Sequence, residues 1–261
     1  MPIQINPVPS ADTLALRTRF REEMSGQIVH DSIHRRAGWT ESYRIDVEGS
    51  QVGFGSVAVA GSWKDRRTIV EFYMIPAARP RAFAAFEAFL AVSRARDFEA
   101  QTNVPVYPVL AQAFGRAIFT EKIVFQDGAT TTLPADGAVI RPVTPPEELR
   151  VAIERRQGGG EWILEWNGVP VGRGGILFHY NRPYGDVHME VGEPCRRRGL
   201  GSFLVQELKR ECHELGAIPA ARCSPDNVAS RQTLQRAGFA PVASILCGSI
   251  GEYGLGDVPA A

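Results

Sequence analysis

The chain repeats itself, and that limits what it can fold into more than any other feature. "YRIDVEGSQVGFGSVAVAG" in the first half and "EWILEWNGVPVGRGGILFHY" in the second both read as strand, tight turn, strand. Glu48-Gly49-Ser50 turns the first hairpin and Asn167-Gly168 the second, the latter a strong two-residue turn signal. Val52-Gly53-Phe54-Gly55 and Val171-Gly172-Arg173-Gly174 stand about 119 positions apart, and "MIPAAR" from Met74 echoes "VGEPCR" from Val191 at nearly the same offset. Each half therefore runs hairpin, strand, basic turn, helix. The expectation is an α/β (α+β) architecture in two tandem copies, 1–137 and 138–261. The boundary falls in the polar, Pro- and Gly-containing stretch Thr130 to Gly137. Beyond it, Pro145-Pro146-Glu147-Glu148 opens a helix with a suitably acidic first turn.

The second basic turn is the more telling one. Strand "GDVHMEV" ends at Val191, Gly192 to Arg198 turns, and "GSFLVQELKRECHEL" reads as a helix with Phe203, Leu204, Leu208, Cys212 and Leu215 on one stripe. "CRRRGLGS" thus joins a strand end to a helix start. Backbone N–H groups there are unpaired and the helix dipole favours negative charge, so an anion, typically phosphate, fits. Gly199 and Gly201 let it approach without a Cβ in the way, and arginine adds charge-assisted hydrogen bonds. Other phosphate motifs fail: no Gly-Lys-Ser/Thr ending occurs, and Gly199-Leu200-Gly201 is followed by Ser202-Phe203-Leu204 rather than completing GxGxxG. Downstream, Asn227 is a good N-cap for a helix over Val228 to Ala237, with Gly238 closing it before Phe239.

Composition argues that any such anion is held locally. The formal net charge is zero, so no global field draws the chain to nucleic acid or an anionic membrane. With 44% hydrophobic residues, the 261 positions can bury two modest cores. No signal-peptide pattern opens the sequence and no window approaches a membrane span, which reads as cytoplasmic. Cys195, Cys212, Cys223 and Cys247 show no metal or nucleophile spacing and read as buried or semi-buried thiols. His30 and His34 stand at i, i+4 without a third ligand, so a helix surface is the expected setting and no metal is expected. Trp162 and Trp166 read as packing, and Arg231 as an exposed helix arginine.

Taken together, the loop and the helix after it resemble the GNAT superfamily of acyl-CoA-dependent N-acyltransferases. Its cofactor motif, a strand valine followed by Q/R-x-x-G-x-G/A, is matched by Val191, Arg196, Gly199 and Gly201. Its second signature is matched by Asn227, Ser230 and Gly238-Phe239. The resemblance is strong over 138–245 and weak over 1–137. It implies two tandem GNAT-like units, each a mixed, mostly antiparallel sheet flanked by helices and splayed between its fourth and fifth strands. The pantetheine arm of acetyl-CoA, or another acyl-CoA, would lie in that wedge. Arg196, Arg197, Arg198, Gly199, Leu200, Gly201 and Ser202 would cradle the pyrophosphate, Val191 would pair with pantetheine, and Asn227 would face it from the other side. The first copy keeps Arg79 but has Pro80, with no N–H to donate, and Ala82 and Ala84 where glycines are wanted, so it is expected to be degenerate.

The implied reaction is direct attack of a neutral amine, in an acceptor read as a small molecule, on the acyl thioester. In "DVHMEV", Asp186, His188 and Glu190 share one face, and Glu190 first and His188 second are the candidate bases. Many family members carry an acid tyrosine seven residues after the motif asparagine, where this chain has Leu234. A water, Ser224, Tyr180 or Tyr184 would have to serve instead. The competing reading is a non-catalytic acyl-CoA-binding or regulatory protein; a plain interaction domain would bind no CoA at all.

Overall fold

The computed structural model describes residues 2–251. They pack as two compact units, and the units interleave along the chain: unit 1 takes 2–24, Ile33–Glu121 and 245–251, and unit 2 takes Ser25–Ser32 and Lys122–Ser244. A single cut near residue 137 does not describe this division.

Unit 1 contains β1 (Ile3–Val8), α1 (Leu14–Glu23), β2 (Thr40–Val47), β3 (Ser50–Ala58), β4 (Thr68–Met74), α2 (Ala82–Ser93), β5 (Asp97–Gln101), α3 (Tyr107–Phe114) and the start of β6 (Gly115–Asp127). Unit 2 contains the rest of β6, then β7 (Ala138–Pro142), α4 (Pro146–Arg155), β8 (Gly159–Trp166), β9 (Val169–Leu177), β10 (Tyr184–Val191), α5 (Leu200–Glu214), β11 (Ile218–Cys223), α6 (Val228–Arg236) and the start of β12 (Phe239–Ile250). The strand order in unit 1 is β1-β2-β3-β4-β5-β12, and in unit 2 it is β7-β8-β9-β10-β11-β6. Each unit is a mixed, mostly antiparallel sheet flanked by helices. The position beside the fifth strand is filled in each unit by a strand that begins or ends in the other. That exchange explains why no single boundary residue separates the units.

The repeat is physical as well as textual. Both hairpins turn through two consecutive left-handed residues, Glu48-Gly49 and Asn167-Gly168, the conformation that suits the right-handed twist of the flanking strands. The second glycine of each GxG, Gly55 on β3 and Gly174 on β9, lies where the unit's long helix comes down. A Cβ on Gly55 would stand 2.5 Å from the Phe89 ring of α2, and one on Gly174 would stand 2.7 Å from Leu208 Cδ1 of α5. The missing side chain is what lets helix and sheet close on each other. Leu204, Val205, Leu208 and Cys212 of α5 are fully buried against the sheet, and each aliphatic side chain so placed contributes about 1.5–3 kcal/mol.

Both sheets also open in the same place. The parallel pair β4–β5 is in register only at Thr68–Asp97 and Ile69–Phe98, and β10–β11 only from Tyr184–Ile218 to Asp186–Ala220. Beyond those residues the fourth and fifth strands part, as the wedge expectation requires.

The segment Ser25–Ser32, far from unit 2 in sequence, is built into it. Asn181 accepts the Ile28 N–H at 2.6 Å and donates to the Gly26 carbonyl at 3.3 Å, so its amide serves the segment as a strand neighbour would. Gln27 is fully buried and donates to the Phe125 carbonyl at 2.9 Å. His30 and His34 are consequently not a helix surface. His30 is buried and the His34 side chain is 2% exposed, they belong to different units, and His34 Nε2 meets Glu71 Oε2 at 2.7 Å.

Candidate functional site

In unit 2 the splay, the basic turn and α6 enclose a cleft of about 1190 Å³. Its floor is the end of β10. Gly192 donates to the Val171 carbonyl at 2.8 Å, so the N–H and C=O of the preceding residue, Val191, point away from β9 and into the opening. No β11 residue is in register there to receive them.

The basic turn forms one wall. Arg197 (φ +62°) and Gly199 (φ +81°) are both left-handed, and Gly199 is the N-cap of α5 with no side chain capping the helix. The first intrahelical bond runs from Phe203 N–H to the Gly199 carbonyl. The N–H groups of Leu200, Gly201 and Ser202 therefore open the helix without a side-chain partner, the arrangement that receives an anion. A Cβ on Gly199 would meet nothing within 4 Å, and Gly201 approaches only Thr233 Cγ2 at 3.4 Å and Met189 at 3.6 Å. The residues present thus fit a phosphate group.

Most of the residues expected to hold the cofactor line this one cleft: Val191, Arg196, Arg197, Gly199, Gly201, Ser202 and Asn227. Two behave differently. Leu200 turns its side chain into the core at 2% exposure, leaving only its backbone to the turn. Arg198 lays its guanidinium over the Trp166 ring at 5.1 Å, so Trp166 does more than pack. Arg196 donates through Nε to the Val191 carbonyl at 3.0 Å, which fixes the turn and occupies that carbonyl. Asn227 spends its side-chain oxygen capping α6 at Ser230 N–H, 2.9 Å away, so what it can offer a ligand is its amide nitrogen.

Glu190 lines the cleft and pairs with Arg173 at 3.3 Å, both side chains largely exposed. His188 is exposed on the same face of β10, its ring lying over Gly175, outside the cleft lining. Leu234 is buried in the core, so the side chain at the usual acid position is turned away from any proton transfer. Tyr180 and Tyr184 do not line the cleft, and burial pushes both phenols above their ordinary value. Ser224 is likewise outside the lining and accepts a hydrogen bond from Lys122 at 3.2 Å. The hydroxyls that do line it are Ser202, Ser230 and Thr233. Thr233 and its neighbours Ala229, Gln232 and Arg236 form one face of α6; their i, i+3, i+4, i+7 spacing is the sequence signal that could have marked them.

A second polar group lies deeper on the Asp186 face of β10. Asp186 is buried, with His179 Nε2 at 3.1 Å and Arg222 Nε at 3.7 Å. Sequence reasoning did not reach it, because His179 and Arg222 come from different elements.

Unit 1 has the same turn with a different content. Arg79 donates through Nε to the Met74 carbonyl at 3.1 Å, the counterpart of Arg196 on Val191. Pro80 comes next, and the helix behind begins at Ala82, which is 3% exposed. Pro80 has no N–H to donate, and Ala82 and Ala84 stand where unit 2 has Gly199 and Gly201.

A family model described as the acetyltransferase (GNAT) family matches residues 131–239. Among proteins of curated function, none matches this chain in sequence. Solved structures match it over nearly its whole length. A GNAT-family acetyltransferase from Colwellia psychrerythraea gives a TM-score of 0.73 at 15% identity, with 95% of this chain and 100% of that one covered. A tandem GNAT protein from the clavulanic acid biosynthesis pathway, solved without AcCoA, gives 0.65 at 16% identity, with 96% and 99% covered. A GCN5-related N-acetyltransferase from Sphaerobacter thermophilus gives 0.55 at 13% identity, with 95% of each chain covered. At these identities the likeness is one of fold, and it extends across both units. The family match falls on the segment that holds the cleft, the uncapped turn and the Asn227 cap, and it is this segment, residues 131–239, that is similar to the acetyltransferase (GNAT) family.

Proposed function

We propose that the chain is an acyl-CoA-dependent N-acyltransferase, in its simplest form an N-acetyltransferase, working in the cytoplasm and binding acyl-CoA in unit 2 alone. One observation carries this reading: the uncapped N-terminus of α5, with Gly199 and Gly201 bare, opens into the cleft at the point where β10 leaves β11. The pyrophosphate of the co-substrate would take the N–H groups of Leu200 to Ser202, with Arg197 supplying charge beside them. Pantetheine would run along the free edge of β10, and Val191 N–H would support the thioester carbonyl as charge develops on its oxygen. The attacking amine forms the new C–N bond as the C–S bond breaks. Its proton passes to Glu190, directly or through water, with His188 behind it on the strand. The departing thiolate takes a proton from water or from a hydroxyl lining the cleft.

The buried Leu234 favours a second reading, in which the protein binds acyl-CoA without transferring the acyl group. Thioester turnover with any amine separates the two. The reading as a whole is tested by titrating acetyl-CoA calorimetrically into the protein and into a Gly201→Trp variant. One equivalent bound per chain and lost in the variant supports it; no binding to the unaltered protein overturns it.

A further inference from the structure

Unit 1 has a cavity of its own, at the end of its sheet away from the basic turn. It measures about 520 Å³, a size suited to a small molecule. Lys64, Asp65 and Arg67 line it from the stretch before β4, and Val92, Arg94 and Arg96 from the stretch between α2 and β5. Backbone bonds fasten the two stretches together. The Arg67 carbonyl accepts the Arg96 N–H at 2.9 Å and the Asp97 N–H at 3.2 Å. The Arg67 guanidinium donates to the Ser93 carbonyl at 3.1 Å through Nε and at 2.9 Å through a terminal nitrogen, and it holds both carboxylate oxygens of Glu41 on β2.

Arg67 thus meets the needs of the fold. It gives the end of α2 the cation that a helix C-terminus favours, and Glu41 neutralises it. The remaining cations have no such task. Among the described residues, the side chains of Lys64, Arg94 and Arg96 make no hydrogen bond or ion pair, and all three residues are exposed. Nor does a helix end in this fold require them: the last turn of α5 carries Glu211 and Glu214, both beside Arg210. Arg94 also sits at φ +50°, the left-handed position after a helix where glycine is least strained. Arg156 occupies the same position after α4, but its guanidinium is taken up by the carbonyls of Tyr180 at 2.8 Å and Asn181 at 3.3 Å. Arg94 bears the same strain with no such partner among the described residues.

We propose that this cavity is an anion site of unit 1, taking a phosphate dianion either free or as the head of a small phosphomonoester. Asp65 is the one carboxylate in the lining, so Lys64, Arg94 and Arg96 leave about two positive charges to be balanced. A phosphate carries about that charge at neutral pH. The two arginines present paired N–H donors to its oxygens, and Lys64 adds a point charge. Like charges gathered around one cavity repel each other, and the anion relieves that repulsion. The organic part of an ester would lie against Val92, which is apolar and exposed. The site is separate from the acyl-CoA reading, because every lining residue belongs to unit 1.

The test titrates inorganic phosphate and glycerol 3-phosphate calorimetrically into the Gly201→Trp variant, in chloride buffer of constant ionic strength, so that the turn of unit 2 does not answer. One saturable equivalent is expected, with affinity falling about 10- to 100-fold in Arg96→Gln and again in Arg94→Gly, the size of a hydrogen bond to a charged group. The tighter of the two probes tells the free ion from the ester. Without the Gly201 change, the same substitutions should remove one equivalent of bound phosphate and leave any that the unit 2 turn holds. In phosphate-free buffer Arg94→Gly should melt higher than its parent, since glycine relieves the left-handed strain. An arginine kept for the fold would do the opposite. No saturable binding of either probe, binding that survives both substitutions, or a lower melting temperature in Arg94→Gly overturns the proposal.

Discussion

At the scale of single residues, the two glycines of the phosphate turn do different jobs. Gly199 is left-handed, and any other residue there is strained whatever the space around it. Gly199→Ala should cost about 1–2 kcal/mol in denaturant unfolding. Gly201 sits in the first turn of α5 with only ordinary contacts ahead of a Cβ, so Gly201→Ala should leave stability equal or slightly higher by virtue of helix propensity, about 1 kcal/mol at most. The pair distinguishes backbone need from ligand need at positions two residues apart. Glu23 gives a prediction in pH. Burial pushes its carboxyl up, but hydrogen bonds from Arg79 and Tyr73, with the nearby arginine charges, outweigh this and hold it below the ordinary 4.5. A lowered folded value means the interaction stabilises fully above the unfolded value and is lost as pH falls through the folded one. The melting temperature should therefore drop below about pH 4.5, and Glu23→Gln should shrink that step, as followed by thermal melts from pH 7 to pH 3. The sequence displayed the glycines and the arginines, but not that Arg196 and Arg198 would turn to Val191 and Trp166. Side-chain partners of that kind depend on distant elements and leave no local mark.

At the scale of elements, the repeated GxG is a docking surface for a helix. All three of the atoms nearest to a Cβ on Gly55 belong to the Phe89 ring. Gly55→Ala should cost about 1–3 kcal/mol by overpacking. Combined with Phe89→Leu, which vacates that space, the loss should be smaller than the sum of the single changes, a coupling readable in a double-mutant cycle. Hairpins, the turn and the two helices of the second repeat were legible because each is written in consecutive residues: Asn167-Gly168 bends the chain, and Asn227 caps α6. The role of Ser25–Ser32 was not. Its histidines suggested a helix face, whereas the segment is held by Asn181, 153 positions away at Ile28. Backbone bonded to a side chain that far off carries no periodicity to read.

At the scale of the whole molecule, the repeat predicted two tandem copies, and the fold has two. What it concealed is that each completes itself with residues from beyond its own stretch of chain. A fragment spanning 138–261 would contain the cleft but lack Lys122–Asp127, which pairs with β11 and brings Phe125 into the core, and would also lack Ser25–Ser32. Produced alone, it should give no cooperative thermal transition by circular dichroism, while the full chain gives one. The exchange of β6 and β12 also bears on how the protein comes into being. A ribosome adds about 5–20 residues per second and releases the N-terminus first. Ile28 must wait for Asn181 to be made, and β5 must wait for Ile245, its partner at Gln101. Unit 2 cannot complete its core before Phe239 is made, and unit 1 cannot pair β5 before Ile245–Ser249 follows, so both units stay unfinished until β12 is synthesised and then close within a few residues of each other.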